Sequence, residues 1–118
     1  MSDLQTFDLA IIGGGIVGLT LANALATSGL QVAVIDAQPP GDIRPEDDYE
    51  LRVSAISRAS QQVFTNLGAW SGMQARRISP FQHMHVWDAT GAGMIHFDAA
   101  ELGVDALGHI IENRVLQA

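Results

Sequence analysis

Three apolar segments near the start of the chain differ in period and order. Phe7-Asp8-Leu9-Ala10-Ile11-Ile12 is a short β-like run, Ile16 to Ser28 carries Val17, Leu21, Ala24 and Leu25 at helical spacing, and Leu30 to Ile35 is short and β-branched. A strand, a crossover helix and a second, parallel strand are predicted. Gly29 is placed to cap the helix, and Pro39-Pro40-Gly41 to end the second strand. Later, Ser57 predicts the N-cap of a helix reaching about Leu67, because Val63, Phe64 and Leu67 recur at helical spacing and Gly68 supplies a stop. A shorter helical piece follows around Trp70 to Ala75. Met84 to Asp88 and Met94 to Asp98 alternate and are joined by Ala89-Thr90-Gly91-Ala92-Gly93, which predicts an antiparallel hairpin that interrupts the βαβ rhythm. Gly108-His109-Ile110-Ile111 then reads as a strand, and Glu112 onward as the opening of a helix.

Between the first strand and helix lies Gly13-x-Gly15-x-x-Gly18, and the second strand ends in Asp36, 23 positions beyond Gly13. An acid about 20 residues after the turn is the spacing of a dinucleotide site, where the carboxylate receives the ribose hydroxyls. Gly13 makes the tight turn, Gly15 clears room for a pyrophosphate against the helix N-terminus, and Gly18 lets helix and strand approach. Gly13, Gly14, Gly15, Val17 and Gly18, with Asp36, are the candidate cofactor contacts.

Composition narrows the chemistry. With 118 residues and 47% hydrophobic content, one core is the limit, and two full βαβαβ halves do not fit. A truncated domain is the expectation. A formal net charge of −7 without a basic cluster argues against nucleic acid as a partner. There is no lysine and no cysteine, which excludes a Schiff-base lysine, a phosphate-loop lysine, thiolate nucleophiles and disulfides within this segment. Met1-Ser2-Asp3 is acidic where a secretory leader is basic, and Leu9 to Ala22 is too short and glycine-rich to span a bilayer. A cytoplasmic location is expected, with peripheral attachment at the inner membrane left open.

Two clusters invite a metal. Asp42, Glu46, Asp47, Asp48 and Glu50 crowd a turn-rich loop, but calcium-loop spacing is missing and a solvated loop is the plainer reading. His83 and His85 alternate to one side of a predicted strand and His96 lies on its neighbour, yet zinc-type spacing and a nearby carboxylate are missing. No metal site is expected. Trp87 and Phe97 read as hairpin core or, alternatively, as the border of an aromatic substrate pocket.

Leu51-Arg52-Val53-Ser54-Ala55-Ile56-Ser57, Leu67-Gly68-Ala69-Trp70, Met84-His85-Val86-Trp87-Asp88 and Leu107-Gly108-His109-Ile110-Ile111-Glu112-Asn113 occur in the order seen in flavin-dependent aromatic hydroxylases. The chain resembles the ubiquinone-biosynthesis branch of that family almost from end to end, its 2-polyprenylphenol hydroxylases above all, with the later ring hydroxylases as near neighbours. The resemblance implies an α/β, Rossmann-like FAD-binding βαβ unit with a hairpin excursion into a second sheet, the domain being incomplete. Residues 1–75 and 108–118 would belong to the FAD domain, and 76–107 to the substrate-side sheet. It further implies hydroxylation of a polyprenylated phenol by O2, with FAD as cofactor and NAD(P)H as reductant. Arg52 and Asn113 would approach the cofactor, although Arg52 pairing with nearby acids and Asn113 capping a helix stay open; Arg114 reads as a surface residue. No catalytic acid or base is nominated, because the cofactor carries the chemistry. The family's further flavin motifs would fall beyond Ala118, so the 118 residues alone are expected to bind FAD weakly and not turn over. An oligomer or pathway complex is compatible with these features. Two other readings stay open: half of an NAD-dependent dehydrogenase site, and a non-catalytic piece that self-associates through exposed sheet edges.

Overall fold

The computed structural model describes residues 4–38, 41, 43, 44 and 46–118. Pro39, Pro40 and Asp42 of the predicted turn and acidic loop lie outside the described residues. The chain divides into two compact units, Met1–Glu50 with Asn113–Ala118, and Leu51–Glu112.

In the first unit, β1 (Leu9–Ile12) and β2 (Val32–Ile35) pair in parallel, from Leu9 opposite Val32 to Ile12 opposite Ile35. Helix α1 (Ile16–Leu25) is the crossover between them, as a parallel pair requires. Each element is shorter than predicted, for a local reason. Asp8 takes the Gln31 N–H on its carboxylate at 2.8 Å, which stops the regular ladder before Val32. At the helix end, the Ser28 hydroxyl and the Ser28 N–H both bond the Leu25 carbonyl, at 2.6 and 3.0 Å. A serine that competes for backbone partners in this way closes a helix instead of extending it. The cap is therefore Ala26 and not Gly29; Gly29, at φ +82°, turns the chain toward β2.

The expected buried stripe of α1 is absent: none of its residues is buried, and Val17 is 84% exposed. Its sequence, Ile-Val-Gly-Leu-Thr-Leu-Ala-Asn-Ala-Leu, is apolar around nearly its whole circumference. Such a helix belongs in an interior with neighbours on several sides, and two strands supply only one. Helix α4 (Asn113–Gln117) lies beside α1 and buries Val115 and Leu116.

The second unit is built on an antiparallel sheet, with β7 (Gly108–Glu112) between β3 (Val53–Ser57) and β4 (Ile78–Phe81). Neither β3 nor β4 is evident from periodicity. β4 is an edge strand, the position that accommodates Pro80, which has no N–H to donate. Gly108 is required beside this sheet, because a Cβ there would sit 2.5 Å from the Ile56 carbonyl and 2.9 Å from the Phe81 ring.

Helix α2 (Arg58–Asn66) starts and stops where its sequence predicts. Ser57 Oγ accepts the Ser60 N–H at 3.2 Å. Past the helix, Gly68 at φ +75° donates to Thr65 and Ala69 donates to Phe64, the paired bonds of a Schellman ending. With α3 (Trp70–Gln74), this unit buries Ile56, Phe64, Trp70, Met73, Ala106 and Ile111.

The predicted hairpin forms from β5 (His83–Trp87) and β6 (Met94–Asp98), closed by the Asp88 N–H to Gly93 C=O bond at 2.8 Å. It is a separate two-stranded sheet, and the expectation of a hairpin core fails. Every residue of β5 is exposed, including Trp87 at 69%, and Phe97 on β6 is 37% exposed. Two strands without a covering layer have no interior.

Candidate cofactor site

The first strand delivers the chain into the glycine turn, and the ladder continues one step further through Gly13 N–H to the Ile35 carbonyl at 2.8 Å. This bond holds the end of β2, and therefore Asp36, beside the turn. Gly13 sits at φ +104°, a conformation that side chains disfavour. Gly18 is required for a different reason: a Cβ there would lie 2.0 Å from the Gly13 carbonyl oxygen and 3.3 Å from Ile11. Only hydrogen allows α1 to start this close to β1.

Gly15 differs from both. It is the N-cap of α1, extended at φ −75°, and an added Cβ would meet nothing within 4 Å. Neither packing nor backbone strain demands glycine here, so the open space above it is what the missing side chain leaves. Gly15 also brings no side-chain acceptor to the first turn of α1. Those N–H groups and the positive end of the helix dipole suit a diphosphate.

Asp36 is held from two sides: Gly14 N–H donates to Oδ2 at 2.5 Å and Gln38 N–H to Oδ1 at 2.8 Å. The Gln38 N–H first, then that of Gly14, hold its carboxyl below the ordinary 3.8. An ionised carboxylate accepts at about four lone-pair positions, so each oxygen keeps a place for a ribose hydroxyl. A Cβ at Gly14 would stand 3.1 Å from Asp36 Oδ2, which ties this glycine to the acid. The turn, the clear space and the fixed acceptor fit the adenosine diphosphate half of FAD.

Of the residues expected from the sequence, Gly13, Gly14, Gly15, Val17, Gly18 and Asp36 come together in this unit. Asn113 opens α4 in the same unit, whereas Arg52 belongs to the second unit, just before β3. Arg114 is not the simple surface residue expected. Its guanidinium bonds the Asp48 carbonyl and lies 3.9 Å from Asp47, and its N–H donates to Glu50 at 3.2 Å. The acidic loop is thus pinned to α4 over residues 47–50. The unmatched excess of acids in that loop was the available signal, but a partner more than sixty residues away is not visible as a sequence pattern.

Known proteins of similar sequence point to the same cofactor class. The family described as FAD dependent oxidoreductase matches residues 8–43. The 3-demethoxyubiquinol 3-hydroxylase of Escherichia coli (strain K12) is 41% identical over 113 residues, covering 96% of this chain and 29% of that protein. The mitochondrial ubiquinone biosynthesis monooxygenase COQ6 of Danio rerio is 36% identical over 123 residues, covering 99% and 25%. Ubiquinone hydroxylase UbiL of Rhodospirillum rubrum is 36% identical over 110 residues, covering 93% and 25%. The chain spans between a quarter and three-tenths of the length of these relatives. Taken with the family match over residues 8–43, the fold describes part of an FAD-dependent oxidoreductase domain. Within that class, the chain is similar over almost its whole length to hydroxylases and monooxygenases of ubiquinone and its biosynthesis. Among the described residues, no helix is long and apolar enough to cross a membrane.

Proposed function

We propose that this chain forms the adenosine-binding part of an FAD-dependent monooxygenase that hydroxylates a polyprenylated phenol, with O2 as co-substrate and NAD(P)H as reductant. The carrying observation is the fixed Asp36 carboxylate beside a turn that is open above Gly15. Bound FAD would supply the redox chemistry. Gly13, Gly14, Gly15, Val17 and Gly18 would line the pyrophosphate, and Asp36 would tether the ribose. Arg52 and Asn113 are assigned to the cofactor by resemblance. Arg52 is suited to it because a guanidinium donates along a fixed fork to phosphate or ribityl oxygens. A phenol with a polyprenyl tail partitions into lipid, which favours a cytoplasmic protein attached peripherally at the inner membrane, alone or within a pathway complex. Of the three relatives only the Escherichia coli hydroxylase carries a ring position in its name, so no ring position is assigned.

Flavin fluorescence titration of the intact protein tests this reading. Asp36→Asn should weaken FAD roughly 10- to 100-fold, the scale of lost charge-assisted hydrogen bonds. Tight, selective binding of NADH in place of FAD, or unchanged FAD affinity in the variant, would overturn it.

A further inference from the structure

The exposed hairpin has a second chemical face. Side chains alternate along a strand, so His83 and His85 project to one side of β5. Their register partners on β6 project to the same side: Asp98 opposite His83, and His96 opposite His85. Three imidazoles and one carboxylate therefore form a rectangle at the open end of the hairpin, remote from its turn. The His83 and His96 rings stack at 5.7 Å between centroids, and His85 meets His96 edge-on at 5.4 Å. The carboxylate judged missing from the sequence is Asp98, whose Oδ2 lies 3.7 Å from His83 Nδ1.

We propose that this face binds a transition-metal dication, with Zn2+ the expected occupant, through His83, His96 and Asp98, and with His85 as the adjacent fourth donor. One ligand atom from each of His83, His96 and Asp98 already lies within 4.8 Å of the others. Donors about 2.0–2.2 Å from a tetrahedral zinc stand roughly 3–4 Å apart, so a small rotation of exposed side chains closes the set. Asp98 is oriented for the task, because its other oxygen accepts the Ala100 N–H at 2.9 Å and fixes the carboxylate on the histidine side. Such support from beyond the ligands is usual at metal centres. Imidazole with one carboxylate selects zinc, copper or nickel over magnesium or calcium. His83 is also the first residue of β5 and Asp98 the last of β6, so the ion would staple strands that two-stranded pairing alone holds only marginally.

Calorimetric titration of the metal-free intact protein with zinc chloride should show one site, with magnesium chloride giving none. His96→Gln and Asp98→Asn should each weaken zinc about tenfold or more, since outer-shell changes alone cost about 10- to 100-fold. Neutralising Asp47, Asp48 and Glu50 should leave zinc binding unchanged. In case a substitution disturbs the hairpin, imidazole resonances of the unsubstituted protein give a second readout: His83 and His96 should shift on adding zinc while His109 does not. No zinc binding, unchanged affinity in the His96 and Asp98 variants, or loss of binding on neutralising the acidic loop would each overturn the proposal.

Discussion

At the scale of single residues, the glycine turn separates two requirements that the motif presents as one. Gly18 is demanded by packing and Gly15 by the space it leaves. Gly18→Ala should therefore destabilise the chain by well over the ~1 kcal/mol typical of a substitution, read as a lowered urea midpoint. Gly15→Ala should keep that midpoint and lose FAD affinity in the same titration, because its Cβ meets only the expected diphosphate. His109 carries a second prediction. Its Nδ1 is buried with no hydrogen-bond partner among the described residues, and Trp70 meets its ring edge-on at 5.0 Å. Burial first, and then the Arg58 charge, hold its pKa below 6.5. The unfolded chain then binds this proton more readily than the folded one, so the contribution is complete above about pH 6.5 and is withdrawn as pH falls toward the lowered folded value. Urea midpoints should drop between about pH 7.5 and about pH 5.5, and should drop less in His109→Gln.

At the scale of elements, α2 is specified by its own ends. Ser57→Ala removes the N-cap and should cost about 1 kcal/mol. Gly68→Ala forces a side chain into a left-handed position and should cost about 1–2 kcal/mol. Equilibrium unfolding monitored by circular dichroism would measure both. This helix was legible in the sequence because capping chemistry acts over three or four residues. The end of α1 was not, since Ser28 bonding back to Leu25 looks in sequence like one more helical position. β3 and β4 were hidden for another reason: each is defined by pairing with β7, whose register partners lie about thirty residues downstream of β4 and more than fifty downstream of β3.

At the scale of the whole molecule, each unit has its own balance of buried and exposed groups. In the second unit Glu112 is 3% exposed, and Arg77 Nε lies 3.0 Å from its Oε1. Removing one partner of such a pair strands the other charge, so Arg77→Ala should cost about 3 kcal/mol by urea denaturation. The first unit has the opposite feature. Ile12 is 77% exposed and Ile35 54%, on a parallel pair of the kind normally covered on both faces. In the absence of FAD, the 118-residue chain should therefore elute above its monomer position in size-exclusion chromatography.

The order of strand, glycine turn, helix, strand and acid was determined by the sequence alone, and with it the nucleotide-binding character of the chain. Turns, caps and acid spacing are local, and local geometry follows from residue type. Tertiary structure decided which groups meet across long separations: Asp36 on the Gly14 N–H, Arg114 on the acidic loop, Arg77 on Glu112 and Asp98 beside His83. Such contacts depend on strand register and on how far a helix can approach a sheet. Those are set by excluded volume and hydrogen-bond pairing between distant segments, which no short stretch of residues contains.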